Sequence, residues 1–306
     1  MIHSDKEIAE FKQQGIHVIR FGDREYPQRL KNLSKPPEVL YCRGKIELLT
    51  RPAIAMVGTR LATRYGMDVA RRFARVFVES GIVVVSGLAD GIDTASHLGA
   101  IDGSKPDHYD TIAVLGNGID FYYPQRNKKL QDDIAKYGLV ISEYLPSDRG
   151  QKYSYPHRNR IVAALSQAVL IVEADLKSGT MITKDHALDI GLDVFSVPGN
   201  VTSLQSRGTN QLIKDAACAI ATEPADVLSV FGKTQKSKSE PNALVQISFE
   251  EKHILDILKR DEIHIDELVE KTAMPIRKLA SLLTQMEMRG LIEKLPGNIF
   301  AVSQGH

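Results

Sequence analysis

The chain has no tryptophan, only two cysteines, no surplus of either charge and no long apolar run. Each shortage removes a class of explanation. Cys42 and Cys218 form no metal-ligand spacing and are too few for a disulfide framework, so a reduced, cytoplasmic setting is the simplest expectation. Lys and Arg number 39 against 38 Asp and Glu, so any surface for a polyanion has to be local. No apolar stretch approaches the roughly 20 residues of a membrane helix. The amino terminus, MIHSDKEIAEFKQQ, is too polar for a signal peptide, and no membrane partner is expected. What remains is a chain of 306 residues, long enough for about two domains and a sizeable core.

Residues 51–223 alternate short apolar runs with helical patterns. Ala53-Ile54-Ala55-Met56-Val57, Ile82-Val83-Val84-Val85, residues 111–115, 138–142, 168–172 and 193–197 read as strands. Residues 65–80 read as an amphipathic helix, with Val69, Phe73, Val76 and Phe77 on one face. Apolar β-branched runs separated by helices predict parallel strands covered on both faces: an α/β, Rossmann-like, doubly wound, mostly parallel sheet spanning residues 51–231. The strands exit into Gly58, Ser86, Gly116, Ser142, Glu173 and Pro198. Ligands of open α/β sheets bind at that rim. Residues 232–243 are polar and read as a linker. Residues 244–306 carry three helical patterns and a hairpin around Pro296-Gly297-Asn298, which predict a small winged-helix domain. Residues 1–50 read as an extended arm packed on the sheet.

The segment Tyr155-Pro156-His157-Arg158-Asn159-Arg160, followed past a strand by Ser178-Gly179-Thr180, concentrates the chemistry. An aromatic ring stacks on bases and guanidiniums grip phosphates, so the set reads as a grip for single-stranded nucleic acid. The plainer reading, solvated arginines beside a core tyrosine, stays open from this segment alone. Residues 146–160 hold Arg149, Lys152, Arg158 and Arg160 against Asp148, four minus one or a local +3, with Tyr153 and Tyr155 interleaved. Gly58-Thr59-Arg60, with Arg64 beyond, can cradle a phosphate on the N–H groups of the following helix terminus, with Arg60 as a charged clamp. In Ser86-Gly87-Leu88-Ala89-Asp90-Gly91-Ile92-Asp93, the two glycines allow close backbone approach. Asp90 and Asp93 are either paired acids for a metal or, the simpler case, a helix cap. His97, four residues after Asp93, is either an acid–base group or an ordinary helix histidine.

Two patterns lead nowhere. Gly116-Asn117-Gly118 opens like a dinucleotide fingerprint, but Phe121 stands at the third glycine position. Gly232-Lys233-Thr234 imitates the end of a P-loop, but Val227 stands where its first glycine belongs. Residues 248–306 hold 10 acids and 8 Lys or Arg, a net −2, so the winged helix is expected to contact protein rather than duplex DNA.

These blocks, in this order, resemble the DNA-processing protein A (DprA, Smf) family over residues 18–302. The resemblance rests on Tyr26-Pro27, Pro36-Pro37, Leu40-Tyr41, Ile54-Ala55-Met56-Val57-Gly58-Thr59-Arg60 and the Ser86 to Asp93 block. It continues through Thr111-Ile112-Ala113-Val114-Leu115-Gly116, Tyr123-Pro124 with Asn127, Ser142-Glu143, the Tyr155 to Arg160 block, Val172-Glu173-Ala174, the Ser178 to Thr183 block and Val197-Pro198-Gly199. It implies a dimeric protein that binds incoming single-stranded DNA in natural transformation, protects it and helps load RecA, with no catalytic residue, cofactor or metal. The phosphate loop falls on Gly58, Thr59 and Arg60. Lys152 and Tyr155 fall on positions that contact phosphate and stack on a base, with Arg158, Asn159 and Arg160 lining the same pocket. Ser178, Gly179 and Thr180 are further candidates. This chain departs from the family pattern in places. Tyr155 stands where Phe is frequent, and Lys184 stands where a small residue is common and adds a candidate phosphate contact. Residues 103–110 form a polar insertion. The helical amino-terminal domain usual in the family is expected to be absent or trimmed. Other readings are a nucleotide hydrolase, whose Pro-Gly-Gly-x-Gly-Thr-x-x-Glu signature is missing and which has Thr183 at the glutamate position, and a winged-helix regulator.

Overall fold

The structure is a computed structural model, and it describes residues 4–232, 248–258 and 262–302. The expected linker lies outside the described residues from Lys233 onward. The chain divides between residues 235 and 236 into two compact units.

The first unit runs α1 (Asp5–Gln13), β1 (His17–Arg20), β2 (Val39–Gly44), β3 (Ala53–Val57), α2 (Arg64–Glu79), β4 (Val83–Ser86), α3 (Ile92–Asp102), β5 (Thr111–Leu115), α4 (Lys128–Tyr137), β6 (Leu139–Ser142) and α5 (Ser154–Ala164). It continues through β7 (Ala168–Ile171), α6 (Thr180–Asp189), β8 (Asp193–Ser196), α7 (Arg207–Lys214), β9 (Ala219–Ile220) and α8 (Pro224–Leu228). The strands form one sheet in the order β1-β2-β6-β5-β4-β3-β7-β8-β9. Pairing is parallel from β6 across to β9. Strand alternation sorts β3 between two cores. Ala53, Ala55 and Val57 face the layer holding Ile161 and Val162 of α5. Ile54 and Met56 face Phe73 and Phe77 of α2. That division is what a doubly wound sheet requires, since each face of a pleated strand needs its own helical cover.

α2 illustrates the local logic. Thr63 caps it by accepting from the Gly66 N–H, Ala70, Phe73, Ala74 and Phe77 bury one face, and Gly81 turns the chain at φ 75°. The chain visits β3, β4, β5 and β6 outward in one direction, then returns to lay β7 on the other side of β3. The gap between β3 and β7 is therefore the switch point at which the helices above diverge and a crevice opens.

The amino-terminal segment differs from the expected arm. β1 pairs antiparallel with β2, and β2 pairs antiparallel with β6, so residues 1–50 extend the sheet itself. Tyr26 and Leu30 are buried in its core, which makes that extension integral. The polar insertion before β5 folds back: Tyr109 N–H donates to the Tyr137 carbonyl at 2.8 Å, and Asp110 pairs with Arg51.

The second unit runs α9 (Phe249–Leu258), β10 (Ile263–His264), α10 (Ile265–Thr272), α11 (Ile276–Met288), β11 (Ile292–Leu295) and β12 (Ile299–Val302). Its strands order β10-β12-β11, and Ile254, Leu258, Leu268, Leu279, Leu283 and Phe300 make a separate core. Helices closed by a short hairpin make this a winged helix.

Candidate nucleic-acid interface

A cleft of about 570 Å³ opens at the carboxyl ends of the strands, over the switch point. Val57 and Gly58 lie where β3 ends. Lys152 comes from the loop before α5, Tyr155, Arg158 and Asn159 from its first turns, Ser178 and Gly179 from the loop before α6, and Thr180 and Thr183 from its start. Arg60 reaches in from the loop after β3, its guanidinium 5.9 Å from the centre of the Tyr155 ring. A half-buried ring thus stands between exposed cations, the arrangement that takes a stacked base with its phosphates.

Thr59 holds the loop rather than lining the cleft. Its N–H donates to the Glu173 carbonyl at 2.7 Å and its carbonyl accepts from Ile92 N–H at 3.2 Å. Arg158 is buried beneath the cleft, where one nitrogen donates to the Gly87 carbonyl at 2.6 Å and also to the Val114 carbonyl. Gly87 is a glycine for this reason: a Cβ there would collide with the guanidinium. Asn159 reaches the Gly179 carbonyl at 3.5 Å and joins the two helix starts. Ser178 Oγ accepts from Thr180 N–H at 3.2 Å. Thr183 Oγ1 is buried without a hydrogen-bond partner and faces the same space.

Four expected residues stand elsewhere. Ser86 is buried, and its hydroxyl donates to the Met56 carbonyl at 2.6 Å. Arg160 turns away from the cleft to form a buried ion pair with Glu143, and its Nε contacts His157 at 3.2 Å. It therefore does not line the pocket with Arg158, because positions two apart on a helix lie on opposite sides. Lys184 pairs with Asp185 at 2.6 Å, and Arg64 lies exposed near Asp68 at 3.7 Å.

The phosphate seat expected at the start of α2 is filled from within. Glu173, buried at the end of β7, accepts from Thr63 N–H at 2.9 Å and from Thr63 Oγ1 at 2.6 Å. A Cβ on Gly66, in the first turn of α2, would collide with the same carboxylate. An acidic side chain at a helix amino terminus meets the dipole that would otherwise draw a phosphate.

Asp93 is a buried carboxyl lining the cleft, and it accepts from Ala89 N–H at 3.3 Å. Burial holds its pKa above the ordinary carboxylate value, opposed by the Arg158 charge. Asp90 instead pairs with Arg126 at 2.5 Å, so the two acids do not act together. Among the described residues no cluster of three or more His, Cys, Asp or Glu is placed to hold a metal. His97 bonds to Thr111 Oγ1 at 2.8 Å, away from Asp93, and burial pushes its pKa down to about 3. Sequence reasoning missed Tyr123 as a site residue. It lines the cleft, its ring centre 4.8 Å from that of Tyr155. Its place in the Tyr123-Pro124 block was visible, but not its contact with a ring 32 positions later.

A Rossmann-like sheet with a polar, cationic cleft at its switch point and a winged helix beyond defines the class of protein. The chain belongs to the DNA recombination-mediator protein A family, whose model matches residues 17–232, and the DprA winged-helix model matches residues 238–298. It is similar to the DNA processing protein DprA of Streptococcus pneumoniae, 39% identical over 230 residues that cover 75% of this chain and 77% of that protein. The Bacillus subtilis DprA is 38% identical over 214 residues, covering 70% of this chain and 71% of its own length. Among solved structures, the S. pneumoniae protein matches with a TM-score of 0.67 at 37% identity, over 74% of this chain and 78% of its own. The Helicobacter pylori protein, described for its single-stranded DNA binding mode, matches with a TM-score of 0.62 at 33% identity, over 70% of this chain and 95% of its own. Among the described residues no helix is long and apolar enough to cross a membrane.

Proposed function

We propose that this chain binds single-stranded DNA without sequence preference, protects it, and delivers it to RecA during recombination of incoming DNA. The reading extends to a cytoplasmic homodimer that acts by binding rather than by catalysis. The observation that carries it is the cleft itself, in which the exposed Arg60 and Lys152 share the lining with the ring of Tyr155, Arg60 lying against that ring. Phosphate contacts from such cations give affinity without readout of sequence, and the ring accepts any base. A duplex keeps its bases stacked inside and offers none to a ring in a cleft of this size. Kinship with DNA processing proteins supports the assignment to recombination. Of the two acids a nucleotide hydrolase would draw on, Glu173 is committed to Thr63, while Asp93 lines the cleft, so base release from nucleoside monophosphates that is lost on changing Asp93 would favour that alternative.

The test is an anisotropy titration of labelled oligo-dT and of a matched duplex at two salt concentrations. The single strand is expected to bind more tightly, with strong salt dependence. Arg60→Ala and Lys152→Ala should each weaken binding to every sequence alike and lower the slope of log K against log salt by about 0.7. Equal affinity for duplex, or variants that bind like the parent, would remove the assignment.

A further inference from the structure

Aromatic and basic side chains continue outside the cleft, on two loops of which the reading above uses only Lys152. Residues 119–129 follow β5 and residues 145–153 precede α5. The loops are tied at their bases, where Gly118 N–H donates to the Asp148 carbonyl at 2.7 Å and Asp120 N–H to the Pro146 carbonyl at 3.0 Å. Between them they hold Arg126, Lys128, Lys129, Arg149 and Lys152 against Asp120 and Asp148, five minus two or +3 in a chain of net +1, although Arg126 is itself paired with Asp90 outside the loops at 2.5 Å. Both acids are engaged: Asp120 with Arg43 at 2.7 Å and Asp148 with Gly150 N–H at 2.8 Å. Tyr153 is 66% exposed and Tyr123 45%, although neither ring gains from water contact. Lys128 lies 4.9 Å over the Tyr122 ring and Arg149 6.0 Å over the Phe121 ring. Tyr123 belongs to both regions, since it lines the cleft and its ring packs, tilted by 40°, against that of Tyr155.

We infer that this loop pair is a second stacking platform, which takes the stretch of the same strand that leaves the cleft. Rings alternating with cations match the alternation of bases and phosphates in a single strand. Backbone bonds between the loops hold the platform in place before the strand arrives, which limits the ordering cost of binding. The inference rests on the single-stranded DNA reading, and oligonucleotide length separates the two. A strand of about 4 nucleotides fits the cleft alone, whereas one of about 12 reaches further, within the range of site sizes known for single-strand binders.

The experiment compares the parent with a Lys128→Ala, Tyr153→Ala double variant, neither position lining the cleft, against oligo-dT of both lengths. The short strand should bind both proteins equally. The long strand should bind the parent at least about 10-fold more tightly than the variant, as loss of a stacked base implies. Its salt slope should fall by about 0.7 in the variant, for one phosphate contact. Tyr153→Phe should keep the parent's affinity for the long strand. A double variant that binds both lengths like the parent, or loses both equally, overturns the platform alone. A parent that binds neither length overturns the platform and the cleft reading together.

Discussion

Arg158 and Arg160 stand two positions apart on α5 and perform different tasks. Arg158 lies under the cleft on the Gly87 and Val114 carbonyls, while Arg160 neutralises Glu143 on the far side of the helix. Replacing Arg160 by Ala leaves the part-buried Glu143 carboxylate with only His157, at 3.3 Å, so Arg160→Ala should lose about 1–3 kcal/mol in urea denaturation. Its effect on the salt slope of oligo-dT binding should be nil, which distinguishes it from Lys152→Ala. Gly179 gives the converse case. A Cβ there meets no atom within 4 Å, and the residue caps α6 at the cleft wall. Gly179→Asp should leave stability within about 0.5 kcal/mol of the parent, because the added side chain meets no neighbouring atom. The same carboxylate should oppose the strand's phosphates and weaken oligo-dT binding at low salt. The residue types of this site were legible in the sequence, but side-chain direction was not. The spacing of Arg158 and Arg160 carried the signal once a helix began at Ser154, yet the Tyr-Pro-His run concealed that helix because proline there sits in the first turn.

At the level of elements, α3 is tied to β5 by a buried hydrogen bond between His97 Nδ1 and Thr111 Oγ1. The Thr111 hydroxyl donates to the Val84 carbonyl at 2.9 Å, so it accepts from His97, which leaves the imidazole neutral with Nε2 unprotonated. Burial pushes the pKa of His97 down to about 3 in the folded chain, against an ordinary 6.5. The unfolded chain then takes up a proton that the folded chain refuses between those values. Stability from this residue is complete above pH 6.5 and is lost as pH falls toward 3, at up to about 1.4 kcal/mol per pH unit. Asp93, with its raised pKa, acts in the opposite sense, so the comparison has to be made against a variant. Chemical denaturation at pH 7 and pH 5 should show a smaller acid loss in His97→Gln than in the parent. The six buried parallel strands were readable because burial on both faces makes a strand apolar throughout. β1 was legible only as a short strand at Val18-Ile19-Arg20-Phe21, and β2, despite its run Val39-Leu40-Tyr41-Cys42, was not, since Pro27, Pro36 and Pro37 made the segment read as an arm. β9 has two residues, both exposed, and presents no pattern to read.

Across the whole molecule, the two units share no core: the first buries both faces of the nine-stranded sheet and the second packs around Leu268, Leu279 and Phe300. Every residue of the cleft belongs to the first. A chain ending at residue 232 should therefore bind oligo-dT within about 0.5 kcal/mol of the full chain, the usual limit for independent sites, as an anisotropy titration would show. A larger loss would mean that the winged helix itself grips the strand. The carboxylate of Glu173 has a wider consequence. Doubly wound sheets use the first helix terminus after the first strand to hold a cofactor's pyrophosphate, and here the protein has installed its own acid in that seat. Small molecules shaped like nucleotide cofactors would find the place taken. A drug against this protein would have to imitate a stretch of polymer lying across the neighbouring cleft, whose terms are set by ring and cation rather than by a glycine-rich turn.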